Sequence, residues 1–124
     1  MRSTRHSKYN INYHLVWIPK YRHPVLTGEI AAHLSDIFHI IAEKKGIEIL
    51  SLEIMPDHIH LFVSSPPQNA PSLIVNWFKG ISARMYNYWY GETPIKWTNS
   101  YFVGTAGTVT AETIKKYIEE QKSK

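Results

Sequence analysis

The chain of 124 residues contains no cysteine, which excludes disulfide bonds and thiolate metal sites and leaves the redox compartment open. It also lacks any run that approaches the roughly 20 apolar residues of a membrane-spanning helix. Arg2, Arg5 and Lys8 precede a partly apolar stretch at residues 11–19, but polar residues interrupt that stretch and no small-residue cleavage site follows. We therefore expect a cytoplasmic protein with no secretion signal and no membrane partner.

The composition fits one domain over residues 1–124, because this length supports a single hydrophobic core but not two. Lys and Arg number 14 against 10 Asp and Glu, which gives a formal net charge of +4, and 13% of the residues are aromatic. A basic surface with aromatic side chains favours an anionic partner with bases that can stack, such as nucleic acid. The charge alone is equally compatible with an ordinary basic protein.

Hydrophobic periodicity predicts the order strand, helix, strand, strand, helix, strand, followed by one more helix. The predicted elements lie near residues 11–18, 28–45, 47–55, 58–64, 71–90, 101–103 and 110–122. The first six fit an α+β, ferredoxin-like βαββαβ fold, in which the helices pack on one face of an antiparallel sheet. Only the C-terminal helix is left to cover the other face. Residues 1–9 are interpreted as a mobile basic arm and residues 104–109 as a flexible linker.

The second strand and the second helix carry less regular patterns. In the second strand the apolar positions change parity between Ile49 and Leu50, which predicts a β-bulge or a bend near these residues. In the second helix the predicted buried stripe consists of Ile74, Trp77, Phe78, Ile81, Met85 and Tyr88. The opposite face, with its basic residues, is predicted to face solvent.

The third strand carries a His-hydrophobic-His motif. Because strand side chains alternate between faces, His58 and His60 share one face while Ile59, Leu61 and Val63 point to the core. Two imidazoles at this spacing suit one metal ion or one phosphate. A half-exposed structural pair of histidines is the alternative interpretation, and the motif alone does not decide between the two.

The C-terminal helix places Tyr117 and Gln121 four residues apart, hence on one face. In one interpretation Tyr117 simply packs at the edge of an apolar stripe. In the other, the phenol is a nucleophile and the amide oxygen of Gln121 is a metal ligand. The reference pKa of tyrosine is about 10, so the second interpretation requires a nearby cation that favours the phenolate.

Five motifs in a fixed order resemble those of the single-tyrosine transposases of bacterial and archaeal insertion sequences. These enzymes belong to the superfamily named for its His-hydrophobic-His (HUH) motif, which includes the REP-associated tyrosine transposases. The matching segments are 16–22 (VWIPKYR), 55–61 (MPDHIHL), 78–84 (FKGISAR), 101–105 (YFVGT) and 117–121 (YIEEQ). Each motif is weak alone, but the ordered set covers nearly the whole chain.

The resemblance implies a chemistry for four residues. Tyr117 would be the nucleophile, and His58, His60 and Gln121 would ligate a divalent metal, Mg²⁺ or Mn²⁺. The enzyme would nick single-stranded DNA through a 5′-phosphotyrosine link and later rejoin strands. Because that link stores the phosphodiester energy, no nucleotide cofactor is expected.

The resemblance also implies partners. Family members recognise hairpins at the ends of their element and act as homodimers with active sites shared between chains. The basic residues that we select as candidate DNA contacts are Lys20, Arg22, Lys79, Arg84 and Lys96.

Two other functions are alternatives to the transposase. A histidine-triad nucleotide hydrolase would need a third alternate histidine, and Phe62 occupies that position. A non-catalytic nucleic-acid-binding module is the stronger alternative, because the ferredoxin-like fold also hosts RNA-binding domains. Such a module would need neither a metal nor Tyr117.

Overall fold

The computed structural model describes residues 10–91, 94–105 and 110–121 of the chain. Its strands are β1 (Ile11–Trp17), β2 (Glu48–Met55), β3 (His58–Ser65) and β4 (Phe102–Thr105). Its helices are α1 (Gly28–Lys45), α2 (Pro71–Asn76), α3 (Ser82–Tyr90) and α4 (Ala111–Glu120). A 3₁₀ turn, Lys20–Arg22, follows β1, and a π-helical turn, Trp77–Ile81, joins α2 to α3. None of the helices in the described ranges is long and apolar enough to cross a membrane.

The four strands form one antiparallel sheet in the order β2-β3-β1-β4. This order is that of the predicted ferredoxin-like fold, with β3 in a central position. The core between sheet and helices contains Leu15 and Trp17 of β1, Leu61 of β3, and the rings of Phe38 and Phe78. The α+β prediction is therefore confirmed.

The predicted bulge lies in β2. The register against β3 shifts between Ile49 and Ser51, so that Leu50 is left 41% exposed while Leu52 pairs with Leu61. The extra residue absorbs the change of parity and returns the following apolar side chains to the core.

The buried stripe predicted for the second helix is wrong at Tyr88, whereas Trp77, Ile81 and Met85 are partly buried and pack against the core. After Ile74 and Phe78 the buried positions are Ser82 and Tyr86, and Tyr88 is 85% exposed. The π-helical turn explains the change, because each turn of a π-helix accommodates more residues than an α-helical turn and moves the following face by about one position.

The C-terminal helix α4 covers part of the open face of the sheet, as predicted. Val16 and Ile18, which follow the buried Leu15 and Trp17 in alternation, form a second small core with Ile118. Partly buried Phe102, Ile114 and Tyr117 pack around this cluster. The helix is therefore fastened over the side of the sheet that carries β1 and β4.

The predicted ends of several segments are refined. The basic arm, residues 1–9, and residues 106–109 of the predicted linker lie outside the described residues. The remaining linker residues, Gly104 and Thr105, belong to β4. The helix predicted over 110–122 has Thr110 as its N-cap and Gln121 as its C-cap, and residue 122 is also outside the described part.

Candidate active site

His58 and His60 lie side by side on the open face of β3. Both are partly buried, whereas Ile59 and Leu61 are fully buried in the core below. The two imidazoles line a groove of about 610 Å³, whose other wall is formed by α4. The sheet thus presents the histidines to one space, as the strand alternation predicts.

The charged side chains of this groove are mostly acidic. Glu53, Asp57 and Glu119 line it together with Arg22 and Lys115. Asp57 Oδ1 accepts a hydrogen bond from His58 Nδ1 at 3.0 Å, and Glu53 Oε1 lies 3.4 Å from His60 Nδ1. Each histidine predicted to bind metal therefore has a carboxylate next to Nδ1, and its Nε2 points away from that carboxylate.

A third histidine, His14 of β1, touches the pair. Its Nδ1 is 2.9 Å from His60 Nε2, and its ring stacks on Phe62 with a centroid distance of 4.1 Å. One ring donates a hydrogen bond to the other here, and the tautomers of the two imidazoles set its direction. Burial, and then the neighbouring His60, lower the pKa of His14 and favour its neutral form. In the sequence, the only indication of this contact is that His14 occupies one of the polar positions that alternate with apolar ones along β1.

Tyr117 and Gln121 meet at Ser100, away from the histidines. Ser100 Oγ donates to Gln121 Oε1 at 3.0 Å and lies 3.0 Å from Tyr117 Oη. Because the single hydroxyl proton of Ser100 is used toward Gln121, the Tyr117 phenol donates to Ser100. Neither Tyr117 nor Gln121 belongs to the side chains that line the histidine groove. Ser100 lies in an irregular segment before β4, where the sequence shows no helical or strand periodicity. Periodicity therefore could not have predicted its contacts with Tyr117 and Gln121.

The position of Tyr117 is unfavourable for its ionisation. Burial raises the pKa of the Tyr117 phenol above its ordinary value. The side-chain hydrogen bond with Ser100 lowers this pKa, but by less than burial raises it. In this arrangement Tyr117 is a protonated, docked side chain.

Lys79, predicted as a DNA contact, points into the protein instead. Its ammonium group donates to the carbonyl oxygens of Thr98 at 2.7 Å and Ser100 at 3.0 Å, and it lies over the ring of Tyr101. Burial lowers the pKa of Lys79. The solvent-face prediction for Lys79 is thus wrong, because the irregular segment before β4 folds back over the π-helical turn.

The other predicted DNA contacts are distributed over the surface. Lys20 and Lys96 are exposed and line a second pocket of about 400 Å³ with Tyr21. Arg22 lines the histidine groove. Arg84 is exposed on α3, in the helical layer, and therefore lies across the sheet from the histidines.

The donor chemistry of the groove fits a divalent cation only in part. Two imidazoles and several carboxylates are suitable ligands. However, within residues 10–91, 94–105 and 110–121 no three or more His, Asp or Glu side chains are grouped closely enough to hold a metal ion. A metal ion held by His58 and His60 would therefore need a further ligand, such as an amide or a phosphate oxygen.

Comparisons with known proteins agree with these motifs. A family model described as "Transposase IS200 like" matches residues 7–121. The ISDra2 transposase TnpA of Deinococcus radiodurans is 42% identical over 130 residues, which covers 100% of this chain and 93% of the relative. The transposase of insertion sequence IS200 from Salmonella typhimurium is 33% identical over 126 residues, covering 97% of this chain and 82% of the relative.

Two solved structures share the fold. A crystal structure from Deinococcus radiodurans R1, assigned as a transposase, superposes with a TM-score of 0.86 at 37% identity, covering 100% of both chains. A REP-associated tyrosine transposase bound to a REP hairpin superposes with a TM-score of 0.60 at 13% identity. That match covers 96% of this chain and 68% of the other, and it concerns the fold alone. The family match and the two curated relatives show that this chain belongs to the IS200-like transposases.

Proposed function

We propose that this transposase nicks and rejoins single-stranded DNA at hairpin-bearing ends of its element through a covalent 5′-phosphotyrosine intermediate. The observation that carries the proposal is the pair His58 and His60, presented to an open groove on the sheet face across which α4 lies. Family membership supports DNA as the substrate. The hairpin bound by the REP-associated tyrosine transposase supports a hairpin as the recognised structure.

The proposed reaction exchanges one phosphate ester for another. The Tyr117 phenol gives up its proton to solvent as its oxygen attacks the scissile phosphorus, the bond from phosphorus to the 3′ oxygen breaks, and the departing 3′ oxygen takes up a proton from solvent. The DNA is then held as a 5′-phosphotyrosine with a free 3′-hydroxyl. In rejoining, a 3′-hydroxyl attacks that phosphorus and Tyr117 leaves with its proton restored.

A divalent cation, Mg²⁺ or Mn²⁺, is the proposed cofactor, with His58, His60 and Gln121 as its protein ligands. When bound, it would supply electrostatic stabilisation of the charge that develops on the scissile phosphate. His60 presents Nε2 to a ligand only after its hydrogen bond with His14 is broken. A carboxylate lies on the Nδ1 side of each histidine, a position that favours a proton on Nδ1 and a lone pair on Nε2.

We further propose that the active arrangement uses two chains. In one chain Tyr117 and Gln121 are docked on Ser100 and do not line the groove. An α4 helix from a second copy would bring its Tyr117 and Gln121 to His58 and His60. A homodimer with shared sites thus accounts for the incomplete ligand set of the single chain.

The proposed DNA surface begins beside the groove. Arg22 is close enough to the histidines to contact the scissile phosphate, and Lys20 and Lys96 flank a pocket in which the 56% exposed ring of Tyr21 could stack on a base. Arg84 would contact DNA only if the bound DNA extended around the protein to the helical layer. Lys79 is left out because its ammonium group is bound to backbone carbonyls.

Capture of the covalent intermediate tests the proposal. Labelled single-stranded hairpin DNA from a verified element end is incubated with the protein and Mn²⁺, and denaturing electrophoresis detects a protein–DNA adduct. We expect an adduct with the wild type and with Tyr88→Phe, which changes an exposed phenol, and none with Tyr117→Phe. An adduct that persists in Tyr117→Phe would exclude Tyr117 as the nucleophile. Absence of any wild-type adduct would favour a non-catalytic binding module.

A further inference from the structure

Asp57 is engaged on both of its carboxylate oxygens. Oδ1 is 3.0 Å from His58 Nδ1, and Oδ2 is 3.6 Å from the Nε atom of Arg22. An ionised carboxylate can only accept hydrogen bonds, so the shared proton belongs to His58 Nδ1. In the neutral imidazole the lone pair is then on Nε2, the atom that is free to ligate a metal.

The position of Arg22 depends on an unusual turn. Tyr21 and Arg22 have φ values of 60° and 54°, which place two consecutive residues other than glycine in the left-handed region. Such conformations are uncommon and are retained where the surrounding structure imposes them, often at functional sites. Here the Arg22 N–H donates to the Pro19 carbonyl at 2.8 Å, which closes the turn after β1.

A backbone contact fastens this turn to the metal motif. Leu26 is fully buried, and its N–H donates to the carbonyl of Pro56 at 3.0 Å. Pro56 directly precedes Asp57, so a backbone hydrogen bond next to the ion pair joins the segment that carries Arg22 to the turn that carries Asp57. The carboxylate of Asp57 thus joins two motifs that are separate in the sequence, 16–22 and 55–61.

We propose that Asp57, held by Arg22, is a positioning residue that fixes the His58 tautomer and ring orientation for metal binding. The proposal rests on the proposed function, because it assigns a partner to one of the metal ligands named there. It replaces the interpretation of Asp57 as only a turn residue. It also gives Arg22 a role within the protein in addition to DNA contact.

Glu53 provides an internal comparison. Its carboxylate is 64% exposed and lies 3.4 Å from His60 Nδ1, whereas the Asp57 side chain is 31% exposed and closer to its histidine. Water competes more effectively for the Glu53 contact, and the described structure gives Glu53 no cation comparable to Arg22. Removal of Glu53 should therefore leave His58 unchanged.

Nitrogen NMR of the imidazoles tests the proposal without DNA cleavage. Long-range ¹H–¹⁵N spectra of histidine-labelled, metal-free protein are recorded at about pH 8, above the reference imidazole pKa of about 6.5. We expect His58 of the wild type and of Glu53→Ala to carry its proton on Nδ1. In Asp57→Ala the His58 signals should move toward a mixture of tautomers, and in Arg22→Met they should move part of the way. Asp36→Ala, which removes an exposed carboxylate of α1, is the matched control and should resemble the wild type.

Mn²⁺ titration, followed by paramagnetic broadening of the His58 signal, supplies the second measurement. Loss of a partner that orients a metal-bound histidine typically weakens metal binding by about 10–100-fold, and we expect a loss in this range for Asp57→Ala. A proton on Nε2 of His58 in the wild type, or identical tautomers in the wild type and Asp57→Ala, would overturn the proposal. So would an altered tautomer with unchanged Mn²⁺ affinity. If Mn²⁺ broadens no histidine signal even in the wild type, the metal part of the proposed function fails, while the tautomer measurement still decides the role of Asp57.

Discussion

At the scale of single residues, Ser100 connects the two side chains of α4 that carry the proposed chemistry. Its hydroxyl contacts Tyr117 Oη and Gln121 Oε1, and its carbonyl accepts from Lys79. Lys79 is thus a clamp that holds the segment before β4 in the position where it receives α4. A residue selected for its charge has a structural role because two carbonyls surround its ammonium group.

Replacement of Lys79 tests this clamp. Lys79→Met leaves the carbonyls of Thr98 and Ser100 without their donor, so the free energy of unfolding should fall by about 1–3 kcal/mol. Lys116→Met removes an exposed lysine of α4 and should change it by no more than about 0.5 kcal/mol. Urea denaturation measures both variants. Equal effects of the two substitutions would contradict the clamp.

The buried phenol of Tyr117 predicts a stability change at alkaline pH. Burial raises its folded-state pKa above the value of about 10 in the unfolded chain, so its stabilising effect is complete below about pH 10. The effect is lost as the pH rises through the folded-state pKa, because the unfolded chain releases the proton more readily.

Urea denaturation between about pH 9 and pH 11 should therefore show a smaller loss of stability in Tyr117→Phe than in the wild type. Some loss should remain, because burial also raises the pKa of Tyr86. Tyr88→Phe, at an 85% exposed position, should follow the wild type. A wild-type slope in Tyr117→Phe would mean that Tyr117 is not docked as described.

At the scale of elements, α4 is held by a cap at its N-terminus and by a small hydrophobic cluster of its own. Thr110 Oγ1 accepts from the Thr113 N–H at 3.1 Å, and Thr113 Oγ1 accepts from the Thr110 N–H at 3.0 Å. Its hydrophobic cluster with Val16 and Ile18 is separate from the main core. An element with so few apolar contacts is expected to open at lower free energy than the central strands.

Removal of the cap should loosen α4 alone. Thr110→Ala is expected to cost about 1 kcal/mol and to accelerate amide hydrogen exchange in α4 while β3 keeps its protection. Thr27→Ala is the matched control, since Thr27 is at the N-cap position of α1 but its side chain makes no capping hydrogen bond. Exchange measured by mass spectrometry or NMR distinguishes the two. A uniform acceleration over all elements would argue against independent opening of α4.

The elements also show how far periodicity can predict a fold. The bulge in β2 was predictable because a change of parity in apolar residues must be absorbed locally. The π-helical turn was not, because its residues fit an α-helical stripe equally well, and the departure shows only beyond the turn, where Tyr86 is buried and Tyr88 is exposed. Packing between α1 and α3 decided that position.

At the scale of the whole molecule, the proposed nucleophile Tyr117 and the two histidines proposed as metal ligands belong to different surroundings in one chain. His58 and His60 face the groove, and Tyr117 faces Ser100. A second copy of the chain is the simplest source of the missing groups, and this leads to a prediction about mixed dimers.

Two inactive variants should restore activity together. Tyr117→Phe retains both histidines, and His58→Ala retains the nucleophile, so a mixed dimer has one complete shared site. We expect an adduct on the His58→Ala chain alone, identified by a size tag after denaturing electrophoresis. Exchange of chains is verified first by capture of one tag and detection of the other. Verified mixed dimers without an adduct would contradict shared sites.

The sequence by itself determined the alternation that puts His58 and His60 on one face, the stop of α1 at Gly46, whose φ is 69°, and the order of elements that gives this sheet. These features follow from local periodicity and backbone conformation, which a linear sequence encodes directly. The motifs also sufficed to identify the family. Only the tertiary structure decided that Tyr117 docks on Ser100, that Lys79 is bound to carbonyls, and that Arg22 reaches Asp57. Each of these contacts joins residues distant in sequence through irregular segments, where no period indicates which side chains will meet.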